Sequence, residues 1–194
     1  MKYCSLCGDL TEQKIPDGDS KHRHVCGSCD EIHYQNPKII AGCLPVIGNK
    51  VLLCKRAIEP RYGYWTLPAG FMENEESTKE AALRETWEEA LAKVESPRLF
   101  TLFDLPHISQ VYLFYLGDLL DETFAPGEES LEVGLFAEDE IPWGELAFPV
   151  ITETLKLFFE DKKNNQQNFY RGSILRLPGE GFRYATEIDP ALIP

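Results

Sequence analysis

The segment from Gly70 to Ala92 constrains this chain most, because it marks where a helix begins and crowds one face of that helix with acid. Ser77 followed three residues later by Glu80 is a capping box, and the residues after it are good helix formers. The pattern predicts a helix from about Thr78 to about Leu91, with the usual latitude at its ends. On it Glu85, Glu88 and Glu89 stand at i, i+3 and i+4, so three carboxylates share one face within one turn. Arg84 can reach Glu80 or Glu88, but one guanidinium cannot neutralise the group. Oxygen ligands in this number suit Mg²⁺ or Mn²⁺, which keep positions for water and substrate phosphates. A solvated acidic helix face is the simpler alternative.

The register is fuller than three glutamates. Gly70, Glu76, the pair Arg84 and Glu85, and the pair Glu88 and Glu89 fall at the spacing of the Nudix box, and the segment resembles that of the Nudix hydrolases. The resemblance implies an α/β fold, a mixed β-sheet between helices, and hydrolysis of a diphosphate bond in a nucleoside diphosphate derivative. It implies Glu85 and Glu89 as leading Mg²⁺ ligands with Glu88 in support, Glu76 paired with Arg84, and the backbone carbonyls of Ala69 and Gly70 completing the metal shell. Family members often recruit a further glutamate; Glu129 is the first candidate as metal ligand or base, Glu132 the second, and a plain acidic loop the alternative. The sequence departs from the pattern at Leu91, where the family has glycine. Glycine there would serve the left-handed turn that ends a helix, so a longer or differently capped exit is expected.

At the N-terminus, Cys4 and Cys7 form one Cys-x-x-Cys pair and Cys26 and Cys29 another, eighteen residues on. This is zinc-ribbon spacing, with four thiolates forming a closed, structural Zn²⁺ site. Disulfides are the alternative, but they need an oxidising compartment that nothing in the sequence suggests. His22, His24 and His33 read as surface or packing residues, and Cys43 and Cys54 as buried small side chains. So short a segment buries little apolar surface, and zinc could contribute on the order of 10 kcal/mol to its folding. Local unfolding on metal removal is expected.

The expected domains are a zinc ribbon over 1–36, a Nudix domain over 37–163 and a C-terminal extension over 164–194. Runs around Gly48 and Asn49 predict a hairpin, with Pro45 marking an edge or a bulge. Strands are expected over Val94–Leu105 and Gln110–Leu116, with a short one at Leu135–Ala137, and a helix from about Pro149 to Lys162 with an apolar stripe of Val150, Thr154, Leu157 and Phe158. The tail from Phe169 could wrap the body or a partner subunit.

With a net charge of −13, and eight acids and no base over residues 121–140, loose binding to nucleic acid or an anionic membrane is disfavoured. The ribbon has four Lys/Arg against six Asp/Glu, which weighs the same way. No apolar run is long enough to cross a bilayer, and the first residues lack a signal-peptide core; a cytoplasmic protein is expected.

A zinc ribbon before a Nudix domain is also the layout of NADH pyrophosphatases, which carry a Ser-Gln-Pro-Trp-Pro-Phe-Pro segment after the box. Here the corresponding residues run from Asp104 through Pro106, His107 and Gln110 to Tyr112, without that signature. That region, with the segments Tyr34–Lys38, Leu53–Arg56, Trp65–Gly70 and Phe124–Gly127, is similar to the plant chloroplast pyrophosphatases that act on FAD and ADP-ribose. The resemblance implies a small-molecule nucleotide substrate, FAD or ADP-ribose, and a homodimer. The alternatives are an NADH or broad nucleotide-sugar pyrophosphatase and a non-catalytic nucleotide sensor. Arg56 and Arg61 could receive phosphates, and Trp65, Tyr64, Phe103 or Tyr112 could stack on a base, although core packing is the simpler reading of each ring.

Overall fold

The computed structural model describes residues 1–177, 179 and 181–189, in two compact units, Met1–Pro37 and Lys38–Pro194. The first unit holds a three-stranded sheet of β1 (Thr11–Lys14), β2 (Arg23–Cys26) and β3 (Ile32–His33). All six cysteines are free.

In the second unit β4 (Lys38–Ile47) and β5 (Lys50–Arg56) form the expected hairpin, with Val46 opposite Val51. The two strands then part. β6 (Trp65–Thr66) pairs with β5, and β7 (Ala69–Phe71) pairs with β4. Pro45 is therefore not at an edge: β4 is an interior strand, and Pro45 falls between its stretch paired with β7 and its stretch paired with β5. A residue without an N–H is tolerated where the ladder changes partner.

Helix α1 (Thr78–Ala90) follows, then the antiparallel pair β8 (Val94–Leu105) and β9 (Gln110–Leu119), joined by a 3₁₀ turn over Pro106–Ile108. β10 (Ser130–Phe136) is longer than the sequence suggested, since its outer residues are polar and do not alternate cleanly. Helix α2 (Pro149–Asn164) carries the expected stripe. The tail adds β11 (Tyr170–Arg176), parallel to β8, and β12 (Phe182–Ile188), antiparallel to β11. The sheet order is β10-β5-β4-β9-β8-β11-β12. Of the tail expected to wrap the body or a partner, Pro178, Glu180 and residues 190–194 lie outside the described residues.

Side chains alternate across a strand, and β4 shows which helix covers which face. Ala41 and Cys43 pack with Ala81 and Ala82 of α1, whose small side chains let the helix approach closely. Ile40, Leu44 and Val46 join the larger core containing Val150, Ile151, Leu155 and Phe158 of α2. The mixed sheet thus lies between two helices. Among the described residues, no helix is long and apolar enough to cross a membrane.

Candidate active site and zinc cluster

Helix α1 begins as its sequence dictates. The Ser77 hydroxyl accepts from the Glu80 N–H at 3.3 Å, and the Glu80 carboxylate accepts from the Ser77 N–H at 2.8 Å. With Glu80 so engaged, Arg84 turns elsewhere. It donates to both oxygens of Glu76, at 3.0 and 2.7 Å, to Glu85 at 2.8 Å, to Glu88 at 2.9 Å and to the Phe71 carbonyl at 3.2 Å. One guanidinium therefore ties the loop after β7 to the helix. The hydrogen bonds from Arg84 pull the Glu76 carboxyl down to about 2.

Parting β4 from β5 brings β7 against the glutamate face of α1. The Glu89 carboxylate accepts from the Ala69 N–H at 3.0 Å. A Cβ at Gly70 would fall on the Glu85 carboxylate, so a side chain here would displace Glu85 from its present position. Glu89 is 6% exposed; burial pushes its carboxyl up to about 8, and the charges of Glu85 and Glu129 add to the shift. Burial also raises Glu85, against the pull of Arg84. A buried carboxylate pushed up further by acidic neighbours marks a site short of positive charge.

Glu129 reaches this site by a device the sequence did not announce. The loop before β10 lies along the C-terminal end of α1, where the Ala125 N–H donates to the Ala90 carbonyl and the Gly127 N–H to the Glu89 carbonyl, at 2.9 and 3.0 Å. These bonds satisfy carbonyls that a helix end leaves open. Any Cβ at Gly127 would collide with the Glu88 carbonyl. The Glu129 carbonyl accepts from the Ala57 N–H at 2.8 Å, which fixes the loop to the end of β5.

A cavity of about 1130 Å³ opens over these groups. Ala69, Gly70, Arg84, Glu85, Glu88, Glu89 and Glu129 line it, with Arg56 and Arg61 as further cationic groups. Glu132, Trp65 and Phe103 fall outside its lining. Glu132 pairs with Lys55 at 3.7 Å. Trp65, a candidate substrate contact, is 6% exposed and packs edge-on against Phe136 in the core. Phe103 is likewise core, whereas Tyr112 lines the cavity. His107 and Phe182 also line it. His107 stands in the segment from Asp104 to Tyr112 but has no role assigned by the sequence, and no local signal places the tail beside the box.

The donor set fits Mg²⁺ or Mn²⁺, being oxygens with an excess of negative charge. Glu85, Glu88, Glu89 and Glu129 line the cavity and could hold such an ion, with Arg84 meeting both Glu85 and Glu88 at 2.8 and 2.9 Å.

In the ribbon, the sulfurs of Cys4, Cys7, Cys26 and Cys29 all lie within 4.8 Å of one another. Cys4 to Cys29 is 3.7 Å and Cys7 to Cys26 is 3.4 Å, close to the roughly 3.8 Å edge of a tetrahedron of Zn–S bonds. The Leu6 N–H points at the Cys4 sulfur, and the Ser28 N–H at the Cys26 sulfur, at 3.4 and 3.5 Å. Each knuckle closes on a left-handed residue, Gly8 or Asp30. Among the described residues this is the group of metal-type ligands drawn most tightly together.

Residues 2–35 match the model of the zinc-ribbon domain found N-terminal to Nudix domains, and residues 36–156 match that of the NUDIX domain. A crystal structure of a NUDIX hydrolase from Nitrosomonas europaea is 54% identical, with a TM-score of 0.87 over 91% of this chain and 100% of that one. A curated relative, the NAD-capped RNA hydrolase NudC of Erwinia tasmaniensis, is 25% identical over 86% of this chain and 64% of its own length. The human mitochondrial NAD(P)H pyrophosphatase NUDT13 is 28% identical over 73% of this chain and 38% of its own. The chain thus spans less than two thirds of either curated relative.

Proposed function

Because the chain belongs to the Nudix hydrolases and carries a zinc ribbon ahead of its Nudix domain, we propose that it splits the diphosphate bond of an ADP-containing nucleotide. The substrates we favour are FAD, giving FMN and AMP, and ADP-ribose, giving AMP and ribose 5-phosphate. The observation that carries this reading is the cavity, in which Glu85, Glu89 and Glu129 share a space of about 1130 Å³ with Arg56, Tyr112 and apolar walls. That is room for a dinucleotide and its phosphates.

When bound, Mg²⁺ would neutralise phosphate charge and activate water. Glu85, Glu89 and Glu129 would hold it. Arg84, by gripping Glu76 and Glu85 together, keeps the loop and helix in register. Arg56, which lines the same cavity, would meet a phosphate oxygen. Glu129 is our candidate base, taking the proton of a water that attacks phosphorus; the bridging P–O bond breaks, and its electron pair leaves with the departing phosphate.

NADH is the second reading, supported by the activities named for the curated relatives. Against it stands the segment Leu105–Tyr112, which lines the cavity through Leu105, His107, Ile108, Gln110 and Tyr112 and lacks the NADH signature. The acidity of the chain favours a free dinucleotide over a capped RNA. We take the assembly to be a homodimer, a state that light scattering checks.

The test is a panel of FAD, ADP-ribose and NADH assayed with Mg²⁺ on wild type and Glu89→Gln. Turnover of FAD or ADP-ribose above NADH, falling at least tenfold in the variant, is the expected result. Binding without turnover would make the protein a sensor, and equal rates on all three would remove the specificity.

A further inference from the structure

Resting on the pyrophosphatase reading, we propose that Phe182 and His107 form a subsite for the flat ring of the nucleotide, supplied by the C-terminal hairpin together with the turn after β8. Neither residue lies in the Nudix box, and Phe182 lies beyond the 36–156 span of the domain match.

The topology brings them together. β11 runs parallel to β8, with Ser173 beside Asp104, so its last residues continue past the Pro106–Ile108 turn. The chain then reverses, the Leu177 N–H donating to the Gly181 carbonyl at 3.1 Å, and Phe182 returns opposite Arg176. Its ring centroid lies 5.9 Å from that of His107, with the planes inclined at 53°. Both rings line the cavity that holds Glu85, Glu89 and Glu129, and Ile108 and Ile174 line it beside them.

Two rings at this separation leave no space for a third between them. They make a corner instead: a ligand ring can stack on one face and meet the edge of the other. Phe182 is 38% exposed. An open aromatic face on a polar hairpin, turned to a cavity with carboxylates elsewhere in its wall, suits an adenine or an isoalloxazine. It contributes nothing to a ribose phosphate. Stacking of this kind acts on binding and leaves the bond-breaking groups untouched.

The test uses the full chain with zinc retained, comparing wild type, Phe182→Ala and Phe182→Trp. In steady-state hydrolysis with Mg²⁺, Phe182→Ala should raise KM for the preferred dinucleotide about tenfold, about 1.4 kcal/mol, with kcat within twofold, and Phe182→Trp should restore KM. Calorimetric titration with AMP, FMN and ribose 5-phosphate separates stacking from hairpin damage. Phe182→Ala should weaken AMP or FMN about tenfold and leave ribose 5-phosphate unchanged. Unaltered affinity for both AMP and FMN overturns the subsite, and so does an equal loss for ribose 5-phosphate. Titration needs no turnover, so an error in the pyrophosphatase reading shows separately, as wild type that binds the rings and cleaves nothing.

Discussion

Arg84 holds both carboxylate oxygens of Glu76 across the turn that leads into α1, at 3.0 and 2.7 Å, and still reaches Glu85 and Glu88 with its remaining nitrogen. A lysine cannot reproduce this, because an ammonium lacks the planar fork that meets a carboxylate in two places. Arg84→Lys should lower kcat/KM about tenfold, about 1.4 kcal/mol of transition-state stabilisation, through a displaced Glu85. Activity within twofold of wild type would show that the fork is dispensable. The pair also sets an acid limit. Glu76 is held at about 2 against an ordinary value of 4.5, so its contribution is complete above pH 4.5 and disappears as pH falls towards 2. Acid unfolding curves of wild type and Glu76→Gln should therefore converge below pH 4.5.

Leu91 takes the left-handed conformation, φ 48° and ψ 28°, and donates its N–H to the Trp87 carbonyl at 2.8 Å. The helix therefore ends where the family glycine would end it, and the longer or differently capped exit expected from the sequence does not occur. Leucine carries the strain of that geometry where glycine would not. Leu91→Gly should stabilise the protein by about 0.5–1 kcal/mol, after the greater freedom of glycine in the unfolded chain is set against the relief. A lower urea midpoint would mean that the side chain contributes more by packing than its backbone loses.

The helix start, the hairpin and the two cysteine pairs were legible because each is written in neighbouring residues with one physical use. Ser77 and Glu80 cap, and Cys4 and Cys7 make a knuckle. What could not be read is what depends on parts of the chain meeting at a distance. Nothing near Gly127 says that it lies on the end of α1, and nothing near Phe182 says that β11 runs beside β8. Trp65 could be read either way from its neighbours, as a ligand contact or more simply as packing, and it lies in the core.

Gly127 gives that long-range placement a direct test. Gly127→Ala would drive a methyl group into the Glu88 carbonyl, and the loop must lift from the helix end. Since the same loop carries Glu129, activity should fall at least tenfold, about 1.4 kcal/mol, with α1 still folded by circular dichroism. Full activity would show that Glu129 does not need this docking.

The ribbon should depend on its metal locally. Its strands are short and bury little besides Val25 and Cys26, so Cys26→Ser, which breaks the tetrahedral set, should strip hydrogen-exchange protection from Thr11–Lys14 and Arg23–Cys26. β4 and β9 should keep theirs. Persistent protection in the ribbon would mean that zinc is not what holds it.

Glu89 predicts a stability that runs against pH in the opposite sense to Glu76. Its folded value of about 8 lies above the ordinary 4.5, so the folded chain holds the proton more tightly than the unfolded chain does. Stability from this group is complete below pH 4.5 and is lost as pH rises through 8. A divalent cation at the carboxylates supplies the missing positive charge and should remove the loss. Melting temperatures of protein dialysed free of Mg²⁺, with zinc retained, should fall between pH 5 and 8, and the fall should shrink on adding Mg²⁺ and in Glu89→Gln. If wild type and Glu89→Gln decline in parallel, with or without Mg²⁺, the buried carboxylate is not the group that sets the slope.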